Sequence, residues 1–370
     1  MENASRKLYS LVHSLGDNFK GLRFRGKTIT DRYEQVERSE QASVENVNCP
    51  LCGGSDTEPL LDGADLLHNI PGRFGVDKCG RCGFAFTNPR PDAESIARFY
   101  PPDYAPRQPK AYRPAGFKHT VRRAILTEFM GYPGRRSLFR RLVLWPLYIV
   151  WRRLPKSLYW PRFFGKGRIL DVGCGAGRLL WKLSLESWSV KGMDVSRQAS
   201  KSAKQYCGID VLVGTYPHEH FPAESFEVVT LWSSLEHVAD PVGVLRSAAA
   251  VLVPGGVLIA GVPNFGSFGA KFFRDRWFPL DLPRHLNHFT VETLSTALKR
   301  AGLACERTAP LPRTSSLRKS ARRAVAAGDR RVLTLVLWTR LGAGIARRFL
   351  SSAAKCDLII AVASKPGKGA

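Results

Sequence analysis

Four of the eight cysteines stand in two pairs, Cys49 and Cys52 in CPLCG and Cys79 and Cys82 in CGRCG, with residues 53–78 between them. Two thiolates three positions apart on a tight turn reach one zinc ion at about 2.3 Å, and the glycine after each pair lets backbone amides face the sulfurs. Two such turns close a tetrahedral four-sulfur site with no open position. Cys49, Cys52, Cys79 and Cys82 are therefore expected to hold a structural zinc, the alternatives being a redox pair or two disulfides. Cys174, Cys207, Cys305 and Cys356 occur singly in apolar or glycine-rich surroundings and read as small buried hydrophobes.

A second chemical signal is RILDVGCGAGRLL, residues 168–180. A dinucleotide site wants G-x-G-x-x-G, but counting from Gly173 and Gly175 that third place is Arg178. The pattern is D-x-G-x-G-x-G, from Asp171 through Gly173, Cys174 and Gly175 to Gly177. An acid ahead of the glycines repels a pyrophosphate and suits a ligand that presents an ammonium group and no phosphate, which points to S-adenosylmethionine. Asp194, closing WSVKGMD, is placed to accept both ribose hydroxyls.

The elements that must position these residues follow from periodicity. RILDV, WSVKGMD, FEVVTLW and GVLIAGVP read as strands, with RLLWKLSLES and VGVLRSAAAVL as helices between them. The alternation predicts an α/β fold with a doubly wound parallel sheet, whose ligand lies at the carboxyl ends of the strands. In FAFTNPRPDAESIARFYPPDY, four prolines bracket a short helix starting near Asp92. We divide the chain into an N-terminal extension (1–44), a zinc-binding segment (45–105), a basic aromatic linker with interfacial helices (106–167) and a cofactor-binding domain (168–370) with a helical insertion at 311–355.

The net charge is +25 over 370 residues, which draws a chain to polyanions without choosing between nucleic acid and an anionic membrane. The opening residues lack the apolar core of a secretory signal, so a cytoplasmic address is expected. LVLWPLYIVW, residues 142–151, is about half a membrane span and contains a proline. Arginine pairs flank it, and RRVLTLVLWTRLGAGIARRFL repeats the scheme. Such helices either lie in an anionic membrane interface, on its cytoplasmic face, or pack on the sheet and expose their arginines. Nucleic-acid binding fits less well, because the basic runs carry long aliphatic cores.

ILDVGCGAG, the acid in GMDVS, SFEVVTLWSSLEHVADP, LVPGG and PRHLNHFT together resemble a class I S-adenosylmethionine-dependent methyltransferase. The segment C-x-x-CG…C-x-x-CGFAFTNPRP…FYPPDY is similar to the zinc-binding front end of bacterial methyltransferases related to deoxysugar C-methyltransferases and tied to polysaccharide biosynthesis. The resemblance implies a seven-stranded sheet ending at Cys356–Pro366. It also implies that Asp171 and the loop glycines cradle the methionine end, Asp194 holds the ribose and Val195 packs on the adenine, with Gly214, Thr215 and Trp232 as further candidates. Trp232 reads equally as core. The implied acceptor is a small molecule or a polyprenyl-linked glycan; a nucleic-acid-modifying methyltransferase, an isoprenoid or lipid O-methyltransferase and a non-catalytic binding module are the alternatives.

Methyl transfer from a sulfonium is an in-line displacement that needs alignment and removal of the acceptor's proton. Glu236 and His237 follow the fourth strand; His237 is the candidate base or a positioning residue. By resemblance His285 and His288 lie on the loop covering the acceptor, with His285 the second catalytic candidate or a packed core histidine. Arg284 is expected to meet an acceptor phosphate or to be solvated. Ser234 stands where the deoxysugar C-methyltransferases carry tyrosine. Ser233 stands where ubiquinone-type O-methyltransferases carry a metal-binding glutamate, so no catalytic metal is expected.

Overall fold

The computed structural model describes residues 42–101 and 116–367, with two short strands at 23–24 and 27–28. Most of the N-terminal extension and the first part of the linker, to residue 115, lie outside the described residues. One unit, Met1–Ser43, carries the antiparallel pair β1 (Arg23–Phe24) and β2 (Lys27–Thr28). The second, Val44–Ala370, contains everything that follows.

Its cysteine segment forms β3 (Val44–Glu45), β4 (Thr57–Gly63), β5 (Phe74–Cys79), β6 (Ala85–Thr87) and β7 (Arg90–Pro91). The large sheet takes β8 (Arg168–Val172), β9 (Ser189–Asp194), β10 (Val211–Val213), β11 (Phe226–Trp232) and β12 (Leu252–Pro263). β13 (Asn287–His288) leaves it, and β14 (Ala304–Pro310) and β15 (Leu358–Ser364) complete it. The order is β10-β9-β8-β11-β12-β15-β14, with helices packed between the strands in sequence.

Seven strands form, as expected, but the sheet is mixed. β15 runs antiparallel to both β12 and β14. The apolar run LIIAVAS is almost wholly buried. A strand covered on both faces reads the same in either direction, so periodicity could not reveal the reversal. Three helices, Thr314–Ala326, Val332–Trp338 and Arg340–Phe349, fill the insertion before it. The helix expected near Asp92 is a 3-10 turn at Ile96–Phe99; Asp92 accepts from the Ser95 amide at 2.8 Å just ahead of it.

The cysteine segment and the large sheet share one core. β13 pairs with β6, Asn287 opposite Phe86 and His288 opposite Ala85, which makes a four-stranded sheet β13-β6-β5-β4. Phe84 meets Phe289 with ring centroids 5.1 Å apart, and Arg300 donates to the Leu51 carbonyl at 3.0 Å.

Arg284 closes this junction and corrects the sequence expectation. It is fully buried and reaches neither solvent nor an acceptor. Its guanidinium donates to Asp65 at 2.6 and 2.9 Å, to Asp281 at 2.8 and 3.2 Å and to the Phe99 carbonyl at 3.1 Å. All five N–H donors of an arginine are engaged. Burial pushes both carboxyls up, yet Arg284 outweighs it: its hydrogen bonds, with the Leu67 and His68 amides, hold Asp65 below the ordinary range, and the charges of His285 and Arg284 do the same for Asp281.

Arg284→Leu strands two buried carboxylates and should cost about 3–5 kcal/mol at neutral pH, read by urea denaturation. Carboxylates with depressed folded pKa values stabilise above their unfolded value near 4, so the wild-type advantage should shrink as pH falls through that range. A loss under about 1 kcal/mol would mean the cluster behaves like a surface ion pair.

Candidate functional site

The glycine loop leaves β8 at its carboxyl end. The Gly173 and Cys174 amides donate to the Met193 carbonyl at 2.8 and 3.1 Å and lash the loop to β9. Gly173 has φ +75°, and a Cβ there would lie 2.7 Å from the Ser234 Cβ, so glycine is required both by backbone and by the close approach of the turn after β11. Asp194 accepts from the Gly175 amide at 2.8 Å through one oxygen and from the Ser196 amide at 2.9 Å through the other. Each oxygen keeps a second lone pair for a hydroxyl.

Asp171 is buried and accepts from Thr230 Oγ1 at 2.7 Å. Burial, with the Asp194 charge second, pushes its carboxyl up to about 7 against that hydrogen bond. A ligand ammonium is the partner such a carboxylate lacks. Val195 and Thr215 are exposed on the loops after β9 and β10. Cys174 is half-buried, its thiol pushed up by burial and by the Asp171 and Asp194 charges. Gly214 donates to the Asp194 carbonyl at 3.1 Å. Trp232 stacks on Tyr159 at 4.5 Å and backs onto Gly261. The groups expected to hold S-adenosylmethionine thus line one edge of the sheet, and a glycine loop exposed at Gly173 and buried at Gly177, a fixed carboxylate and a buried acid fit that cofactor.

Two and three residues beyond Ser234, the same turn carries Glu236 and His237. Nδ1 of His237 lies 3.0 Å from the Arg284 carbonyl and 2.9 Å from the Tyr100 hydroxyl. A carbonyl only accepts, so Nδ1 bears the hydrogen and Nε2 the lone pair. Nδ1 of His285 is likewise 2.8 Å from the Pro279 carbonyl. The two imidazoles meet edge to face at 4.6 Å. Burial, with His285 second, holds His237 well below the ordinary histidine range, so it is neutral near pH 7. Burial pushes Glu236 up to about 8, and among the described residues its Oε2 has no hydrogen-bond partner. Among the described residues, ligand-type atoms of Glu236, His237 and His285 lie within 4.8 Å of one another, a spacing a divalent cation can bridge.

His288 does not join this group. It is buried on β13 with its Nε2 3.0 Å from Thr87 Oγ1, so it braces the cysteine segment and cannot contact an acceptor. Tyr100, Asp65, Asp281 and Thr230 escaped sequence reasoning. Tyr100 had a signal, in that it precedes the double proline of FYPPDY, which orients the chain at that point. Asp65 had none, since 219 residues separate it from Arg284.

The four cysteines converge. Cys49 and Cys82 sulfurs are 3.6 Å apart, Cys52 and Cys79 sulfurs 3.5 Å, and all four lie within 4.8 Å of one another. Bonds of about 2.3 Å to a tetrahedral ion require sulfurs close to 3.8 Å apart. The Gly53 and Gly83 amides close the two turns onto the Cys49 and Cys79 carbonyls.

Residues 150–308 match a family described as a methyltransferase domain. The match covers less than half of the chain and leaves the cysteine segment outside. The chain is similar to ubiquinone biosynthesis O-methyltransferases of Bordetella pertussis, at 31% identity over 149 residues (37% of this chain, 61% of the relative), and of Haemophilus ducreyi, at 37% over 111 residues (27% and 47%). It spans less than two thirds of the length of these curated relatives. Among solved structures, an S-adenosylmethionine dependent methyltransferase from Mesorhizobium loti aligns at 20% identity with a TM-score of 0.40, covering 59% of this chain and 96% of that one.

Metal analysis of the purified protein should find one zinc in the four-sulfur site, and each single Cys→Ser change at 49, 52, 79 or 82 should deplete it and loosen the front end. Full occupancy in any of the four variants would contradict a site built from all four sulfurs.

Proposed function

We propose that this protein transfers a methyl group from S-adenosylmethionine to a hydroxyl of a small or lipid-borne acceptor, and that a structural zinc on the four cysteines supports the fold around that site. The observation that carries this reading is the contact of the turn bearing Glu236 and His237 with the glycine loop, through Ser234 against Gly173. It sets the turn that carries a neutral imidazole against the loop suited to the cofactor. The matched methyltransferase family and the O-methyltransferase relatives support the same reaction class.

When bound, the cofactor supplies an electrophilic methyl on a sulfonium. Asp171 offers a carboxylate to its ammonium and Asp194 accepts from its ribose. His237 accepts the acceptor's proton at Nε2 while the Arg284 carbonyl keeps Nδ1–H in place, and the Asp281 charge favours the imidazolium that forms. Glu236, neutral near pH 7, is able to donate a hydrogen bond to the acceptor oxygen. A sugar hydroxyl is the acceptor that the resemblance of the cysteine segment favours; an isoprenoid phenol is the one that the relatives' name favours.

A second reading rests on the cation-sized spacing of Glu236, His237 and His285: a divalent ion there would polarise the acceptor oxygen. Loss of turnover on chelation with zinc retained at the cysteines, and recovery with added magnesium, would favour it over proton removal by His237 alone.

Calorimetry should show binding of S-adenosylmethionine, weakened by about 3 kcal/mol, roughly a hundredfold, in Asp194→Ala. Because the ammonium needs Asp171 ionised, binding near pH 6 should release a proton, and affinity should fall as pH drops through about 7. Equal affinity in wild type and Asp194→Ala would remove the cofactor assignment. His237→Ala should lower turnover by about 10²–10⁴-fold with cofactor affinity unchanged; retained turnover would make His237 a packing residue.

A further inference from the structure

The Leu138–Arg153 helix has no buried residue along its whole length. Leu142 is 68% exposed, Trp145 51% and Val150 62%. Arg135, Arg136, Arg140 and Arg141 stand at its beginning, Arg152 and Arg153 at its end. A helix apolar on most sides is ordinarily enclosed by protein or lipid. This one is about 24 Å long, shorter than the hydrocarbon core of a bilayer, and charged within its first turn. Among the described residues no helix is long and apolar enough to cross a membrane.

Where this helix ends, a cavity of about 470 Å³ opens between it and the second half of β14. Arg152, Arg153 and Arg307 line it together with Ile149, Leu154 and Leu158. No acidic side chain lines it, and among the described residues none of these three guanidiniums forms an ion pair with a carboxylate. Arg140 and Arg168, by contrast, meet Glu128 and Glu227, both at 2.9 Å. Arg152 lies over the Tyr148 ring at 5.8 Å but, like Arg153 and Arg307, meets no carboxylate among the described residues, and three such guanidiniums around one apolar-walled cavity call for an anion on an apolar chain.

We propose that the protein docks on an anionic phospholipid surface, laying the Leu138–Arg153 helix into the interface and seating a lipid phosphate among Arg152, Arg153 and Arg307. Arginines at both ends meet the headgroups while Leu142, Trp145 and Val150 enter the acyl boundary. The site faces the reactive edge of the sheet. β14 is parallel to β12, so its Thr308–Pro310 end lies on the same side as the carboxyl ends of the other strands. One 3-10 helix, Pro155–Tyr159, links the two places: Leu158 lines the cavity and Tyr159 stacks on Trp232 at the end of β11. A molecule held in the membrane would thus be presented along the edge where the glycine loop lies. The docking proposal does not depend on the methyltransferase reading.

Flotation of the full chain with vesicles tests it, using phosphatidylcholine alone and phosphatidylcholine mixed with phosphatidylglycerol. Binding is expected to the mixed vesicles only. Arg153→Ala/Arg307→Ala, both exposed positions, should weaken it roughly thirtyfold, at about fivefold per arginine. Leu142→Ser/Trp145→Ser should release the protein while an unchanged circular dichroism spectrum shows it folded; if that variant does not fold, the arginine pair decides alone. Free glycerol phosphate in excess should not displace the protein, since it lacks the apolar chain. Equal binding to both vesicle types, or no effect of the arginine pair, would overturn the proposal. So would an RNA oligonucleotide that binds as tightly at matched salt, loses affinity in the arginine variant and is indifferent to Leu142→Ser/Trp145→Ser, because the surface would then be a phosphate-backbone site.

Discussion

One buried guanidinium holds the molecule's parts in register. Arg284 has all of its donors engaged inside protein: Asp281 is a neighbour three residues back, while Asp65 and Phe99 come from the distant cysteine segment. An unmatched charge in that position is strongly unfavourable, which favours the arrangement of segments that surrounds it. The same residue's carbonyl fixes Nδ1 of His237. The interaction that joins the front end to the sheet therefore also sets which nitrogen of the candidate base is free.

The cysteine segment is accordingly more than an appendage. Its β6 takes β13 as a fourth-strand partner, its Thr87 hydroxyl donates to the His285 carbonyl at 2.7 Å, and its Tyr100 meets His237. A loop as short as Asp281–His288 has little local structure of its own. Pairing it with a sheet clamped by four thiols gives the two imidazoles a fixed place. Because the surroundings are dry, Glu236 and His237 are held in their neutral forms.

Charge is distributed by the same logic. The chain has few acids for its 56 lysines and arginines, and many are consumed inside it. Glu186 takes His119, Arg122 and Arg123 and ties the Phe117–Phe129 helix to the domain; Glu227 takes Arg168; Glu128 takes Arg140. What remains on the surface is cationic, and around Leu138–Arg153 it is interleaved with exposed apolar side chains. Among the described residues the buried carboxylates Glu128, Glu186 and Glu227 are each matched by arginine, which leaves the cationic excess toward the surface.

The strands RILDV and FEVVTLW, the glycine loop, Asp194 at the end of β9 and the paired cysteines were legible from the sequence because each is a local pattern. A run of apolar residues, a D-x-G-x-G-x-G turn or a C-x-x-C knuckle is dictated by neighbours a few positions away. The reversal of β15, the pairing of Arg284 with Asp65, the removal of His288 to a structural post and the arrival of Tyr100 at His237 were not legible. Each depends on contacts between residues far apart in the chain, and an arginine in solvent and an arginine in a buried ion cluster are the same letter. Local chemistry determined which groups the protein has. Long-range packing decided which of them face one another, because only the folded chain sets where water is excluded and which charge stands beside which.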